Sequence, residues 1–162
     1  MPISSVGRTS RRGVTLLEML VVMAIVGLIV AVSTPSVSSG LDSVRLRSAS
    51  DSISSFLNSA VNHAERRQQP VAVIISPKQN RLQAFSNEPG YNRELILPDG
   101  IAIEAVLPQV IEDPDSVRRL ILMPGATVPG IGIQFANAHG GRRIVRLDPM
   151  TGFPRVESVN PQ

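Results

Sequence analysis

With 162 residues, 43% of them apolar, and a mean hydropathy of +0.13, the chain has the length of one modest domain and is too apolar for a disordered charged tail. It has no Trp, one Tyr and four Phe, so its core must come from Val, Ile and Leu, which suits strands better than an aromatic-lined pocket for a small-molecule substrate. The absence of Cys excludes disulfides and thiolate metal sites. The net charge of +3 suggests an acidic partner until its location is considered. Three of the 16 basic residues, Arg8, Arg11 and Arg12, precede Gly13 and no acidic residue does, leaving 13 against 13 beyond that point.

Residues 19–32 form an unbroken apolar run, and Val14, Leu16 and Leu17 extend it back to about 19 residues interrupted by one charge, Glu18. That is close to the roughly 20 residues a helix needs to cross a bilayer core. Arginines before the run and none soon after it predict a single pass with the N-terminus cytoplasmic and the remainder outside. Three segments have this outline: a cleaved secretory signal ending near Ala31, Val32 and Ser33, a plain signal anchor, and a leader that is cut ahead of a retained helix. Glu18 separates them. A carboxylate drawn into the bilayer costs a few kcal/mol, and neither a signal peptide nor a simple anchor has a use for it.

Gly13, Val14, Thr15, Leu16, Leu17 and Glu18, behind a short arginine-bearing leader and ahead of an apolar helix, resemble the signal of type IV pilins and type II secretion pseudopilins. The resemblance implies that residues 1–13 are a leader and that a prepilin peptidase cuts between Gly13 and Val14 and methylates Val14 as the new N-terminus. Phe is commoner than Val at that position in the family. Glycine before the cut lets an extended backbone enter a narrow active site. The resemblance gives Glu18 an assembly role, pairing with the N-terminal amine of a neighbouring subunit in surroundings where an unpaired charge is expensive. Pro35 stands where members of the family carry a helix-kinking proline, and it removes the hydrogen bond to the Ala31 carbonyl. A kink or a locally melted turn is expected there.

The helix is expected to continue. Leu46, Ala49, Ile53, Phe56, Leu57, Ala60, Val61 and Ala64 recur in steps of three and four and form one apolar stripe, with Arg47, Asp51, Ser55, Asn58, Asn62 and Arg66 opposite. From residue 14 to about 68 such a helix is about 80 Å long, far more than a bilayer needs. Residues 14–35 would be its transmembrane half and residues 36–69 its amphipathic half, covered by the rest of the chain.

After Pro70 come short β-type runs at 71–75, 81–85, 94–97, 101–107, 117–123, 131–135, 142–147 and 152–156, separated by Pro-, Gly- and Asp-containing turns. The fold class predicted is α+β: a long N-terminal helix packed on a small antiparallel β-meander or sandwich over residues 70–162. The helix end at Asn58, Ala60, Ala64, Arg66 and Arg67, the Pro70-Val71 strand, and the Arg142–Val145 strand running to Thr151-Gly152 resemble the H-type minor pseudopilins and the related FimT-like minor pilins.

No GxSxG, Walker A, HExxH or CxxC sequence occurs, so neither enzyme activity nor a cofactor is expected. His63 reads as a partly buried structural residue and His139 as an exposed loop residue. Glu112, Asp113 and Asp115 read as a solvated acidic loop rather than a calcium site. Arg118, Arg119, Arg142, Arg143, Arg146 and Arg155 alternate with apolar strand positions and read as solvent-facing, the alternative being a weak DNA contact. The resemblance implies a minor pseudopilin of the type II secretion pseudopilus, helping to export folded proteins across the outer membrane. Its implied partners are other pseudopilins in a fibre, the prepilin peptidase, an inner-membrane assembly platform and inner-membrane lipid, with the C-terminal domain periplasmic. The alternative is a FimT-like minor type IV pilin serving pilus biogenesis or DNA uptake. A third reading, a secreted or anchored enzyme, requires a different mature N-terminus.

Overall fold

A computed structural model of the chain describes residues 14–87, 90–109 and 116–159, and for 32–39 it describes the backbone alone. The chain divides into two compact units, Met1–Ser38 and Ser39–Gln162. Helix α1 (Leu16–Arg67) contributes residues to both. In the first unit the backbone is helical from Leu16 onward, through Pro35 as at its neighbours. The expected leader, with Gly13, lies outside the described residues, as do the side chains around the expected kink at Pro35.

Among the described residues of the second unit eight strands follow α1: β1 (Val71–Ser76), β2 (Arg81–Ser86), β3 (Asn92–Ile96), β4 (Ile101–Leu107), β5 (Arg118–Leu122), β6 (Gly132–Asn137), β7 (Arg142–Leu147) and β8 (Pro154–Val159). Each overlaps one of the predicted runs, with ends shifted by up to three residues, because the apolar alternation and the turn residues mark each strand's place but not its exact limits. All pairings are antiparallel and form two four-stranded sheets, ordered β3-β2-β1-β5 and β4-β6-β7-β8. The strands do not form one meander in chain order. After β4 has started the second sheet, β5 returns to pair with β1, and β6 then comes back to β4.

The helical stripe closes this unit. Leu46, Ala49, Ile53, Leu57, Ala60 and Ala64 are buried in one cluster with Val71, Val73 and Ile75 of β1, Leu82 of β2, Ile133 and Phe135 of β6, and Val145 and Leu147 of β7, while Phe56 and Val61 pack at its rim. The opposite face, Arg47, Asp51, Ser55, Asn62 and Arg66, is exposed. Ser50 is a polar residue inside the stripe, and its hydroxyl donates to the Leu46 carbonyl at 2.9 Å, so no buried donor is left over.

Two local devices shape the sheets. Asn80 adopts the left-handed conformation (φ 48°) after the 3-10 turn Pro77–Gln79, and its side-chain oxygen accepts from the Ile103 amide at 2.9 Å, tying the β1–β2 turn to β4. In β4 the register against β6 shifts between Ile103 and Ala105. This bulge leaves Glu104 aimed at Gln134 (2.9 Å) and Arg142 (3.0 Å) while Ile101, Ile103 and Val106 all remain buried.

Candidate functional site

The feature that the folded core does not use is the start of α1. Thr15 caps it: the Glu18 amide donates to Thr15 Oγ1 at 3.2 Å and the Met19 amide to the Thr15 carbonyl at 3.2 Å. A threonine three residues before a glutamate is the spacing of a capping box, and it sets Glu18 in the first turn, where the unpaired amides favour a negative charge. Sequence reasoning centred on Glu18 and passed over Thr15, although the T-x-x-E spacing was the signal for it.

Beyond the cap the helix is apolar on every side. Leu16 is 84% exposed, Leu17 73%, Met23 72% and Leu28 69%, and the same is broadly true of Val14, Met19, Leu20, Ile25, Ile29 and Val30. Successive residues stand 100° apart, so no face is spared. Glu18 is the one charged side chain between residues 14 and 31. Such a surface is stable only inside lipid or among other apolar helices. Among the described residues no helix is long and apolar enough to cross a membrane, and the fully described apolar part of α1 stops at Ala31.

The other sequence-singled residues fall in separate places. Arg118 and Arg119 lie on β5 of the first sheet, whereas Arg142, Arg143, Arg146 and Arg155 lie on the second. Most are engaged: Arg118 with the Pro108 carbonyl (2.9 Å), Arg142 with Glu104, Arg146 with Glu157 (3.7 Å), Arg155 with Asp148 (2.9 Å), and Arg119 over the Phe85 ring at 6.0 Å. They do not make one basic face. His63 stacks on Tyr91 with ring centroids 3.6 Å apart. His139 is exposed as expected, yet its Nδ1 lies 2.6 Å from Asp42 of α1, a pairing across 97 positions that no local pattern announces. Residues 112–115 lie outside the described residues, and among the described residues there is no cluster of His, Asp and Glu able to hold a metal ion.

The Thr151-Gly152 turn is built rather than incidental. Asp148 accepts from the amides of Met150 (2.9 Å) and Thr151 (3.3 Å), and these bonds, helped by Arg155, hold its carboxyl below the usual range. Gly152 has φ 69°, and a Cβ there would stand 3.2 Å from Val128 and 3.3 Å from Val61 of α1. Only glycine fits both the backbone and the space. The turn consequently occupies 152, and the last strand begins at Pro154 rather than at the glycine.

Residues 8–34 match the family described as the prokaryotic N-terminal methylation motif. The chain is 35% identical over 77 residues to the type II secretion system protein H of Xanthomonas campestris pv. campestris. That match covers 48% of this chain and 46% of the relative, so the chain matches about half of that protein's length. No solved structure matches the chain. The chain thus resembles pilin-like proteins in its methylation motif ahead of an apolar helix, and protein H over about half of its length.

Proposed function

We propose that the chain is a minor pseudopilin, a structural subunit of a type II secretion pseudopilus that helps move folded proteins across the outer membrane, with no active site of its own. The observation that carries this reading is the helix that is apolar on all sides from residue 16 and holds a single carboxylate, behind a prepilin-type motif. Prepilin peptidase cuts between Gly13 and Val14 and methylates Val14. The helix then crosses the inner membrane once, N-terminus cytoplasmic, with residues 14–35 in lipid, Pro35 bending the chain, and the β-rich unit in the periplasm. An inner-membrane assembly platform draws the subunit into the fibre, where helices of neighbouring subunits replace lipid.

Glu18 supplies the register. Inside an apolar bundle an uncompensated carboxylate is costly, so the arrangement in which it meets the N-terminal amine of a neighbour is selected over sliding alternatives. Thr15 supports this by fixing the first turn on which Glu18 sits.

The second reading, a FimT-like minor type IV pilin that takes up DNA, is less favoured, because the arginines it needs are divided between two sheets and largely engaged. The test is intact-mass and N-terminal analysis of the protein recovered from membranes with and without prepilin peptidase. A mature start at N-methylated Val14 is expected, and Glu18→Gln should be processed normally yet fail to enter fibres. An intact leader or a start at Thr34 overturns the pilin reading.

A further inference from the structure

Among the described residues the first sheet ends on β3, which pairs with β2 alone. The Ser86 amide donates to the Tyr91 carbonyl, which makes Ser86 and Tyr91 a hydrogen-bonded pair, and antiparallel ladders alternate such pairs with open ones. Arg93 and Leu95, opposite Ala84 and Leu82, therefore turn their backbone groups inward, whereas Asn92, Glu94 and Ile96 turn their N–H and C=O groups outward along the free edge. Arg93 lies opposite buried Ala84, so its side chain is on the face toward α1.

On that face, between β3 and the end of α1, is an open hollow of about 420 Å³ lined by Asn62, His63, Arg66, Arg67, Tyr91 and Arg93. Among the described residues its lining carries the guanidinium groups of Arg66, Arg67 and Arg93 and no carboxylate, and Arg67 and His63 are already engaged. Among the described residues no acidic side chain pairs with Arg66 or Arg93. On the opposite face of the strand Glu94 is already matched with Arg81 at 3.1 Å, and Ile96 is 59% exposed.

We propose that the β3 edge and this arginine hollow together receive an extended acidic segment of a neighbouring protein, which adds to the sheet as a fifth strand. Its main chain meets the outward groups of Asn92, Glu94 and Ile96. Its side chains alternate, so carboxylates on one face enter the hollow and bind the guanidinium forks of Arg66 and Arg93, while apolar residues on the other face cover Ile96. The like charges also discriminate: two β3 edges brought together would set Arg93 near Arg93, which disfavours a second copy at this edge and selects an acidic strand. The inference rests on the proposed function only in placing this unit among partner proteins.

The experiment titrates a fluorescein-labelled peptide of alternating Glu and Val with the full chain in non-ionic detergent and reads anisotropy, with an alternating Lys and Val peptide as the control. Binding of the acidic peptide alone, weakening as salt is raised, is expected. Arg66→Glu with Arg93→Glu, both exposed positions, should keep the unfolding midpoint, weaken the acidic peptide by about tenfold or more and gain the basic one. Glu94→Pro removes an outward N–H from the edge without breaking the β2–β3 ladder and should also abolish binding, whereas Glu94→Gln should not. Equal binding of the two peptides, or no effect of the double reversal, overturns the site; undiminished binding by Glu94→Pro overturns strand addition. None of these outcomes bears on whether Val14 is the mature terminus, so failure here is distinct from failure of the pseudopilin reading.

Discussion

The two ends of α1 differ in apolar density, 14 of the 16 residues from 16 to 31 against 8 of the 19 from 46 to 64, and meet opposite fates. Between residues 16 and 31 apolar side chains occupy every direction around the axis and stay exposed in the single chain; between Leu46 and Ala64 they occupy one stripe and are buried by the chain's own sheets. The difference lies in angular distribution. A stripe asks for one flat partner, and two sheets supply it within the same polypeptide. A helix apolar all round asks for a partner on all sides, which no 95-residue remainder wrapped elsewhere can supply, and only lipid or a bundle of like helices meets the demand.

The strongest way to break the contrast is to remove the same group from each half. Leu57→Ala, at a fully buried position, should destabilise the β-rich unit by about 2–5 kcal/mol in chemical unfolding of the full chain in detergent, whereas Leu28→Ala should leave that transition where it was. Equal effects would mean that the first unit contributes to the same core. Next in size, Gly152→Ala should cost about 1–3 kcal/mol, because it forces an alanine into φ 69° and presses its Cβ against Val61 and Val128, where α1 meets the last turn. Thermal unfolding reads this directly.

Thr15→Ala sharpens the comparison from the other side. It should weaken the first turn by about 1 kcal/mol, seen as faster amide exchange near Glu18 and Met19, with no change in the unfolding of the β-rich unit. The smallest effect concerns Asp148. Its carboxyl is depressed in the folded chain by the Met150 and Thr151 amides, so the charged form adds stability above the ordinary value near pH 3.9 and loses it as pH falls through the lower folded value. Asp148→Asn should lower the unfolding midpoint at neutral pH, and the gap from the unsubstituted chain should narrow below about pH 4. A gap independent of pH would show that the charge is not what holds the turn.

Much of the candidate site was legible because it is local. Val14, Glu18 and the apolar run are consecutive residues whose chemistry can be read without a fold, and the matched methylation motif spans the same stretch. Thr15 is equally local, three residues before Glu18, and its role as the cap shows in the bond from the Glu18 amide to its hydroxyl. The arginines read as solvent-facing, with a shared DNA contact as the alternative, and their spacing could not decide between the two, because it says nothing of which sheet each strand joins: β5 goes to one while β7 and β8 go to the other.

The sequence by itself determined the eight strands, the buried stripe of α1 and the segment of that helix which its own domain cannot cover, since all three depend on periodicity and turn residues within a few positions. Tertiary structure alone decided that β5 returns to β1, that Asp42 meets His139, that a Cβ at Gly152 would crowd Val61 and Val128, and that Arg66 and Arg93 flank one hollow beside an edge strand. Those relations join residues from 24 to 97 positions apart, and they arise only when the sheets close over the helix, because the free energy of burying a shared core, not any local preference, chooses which surfaces meet.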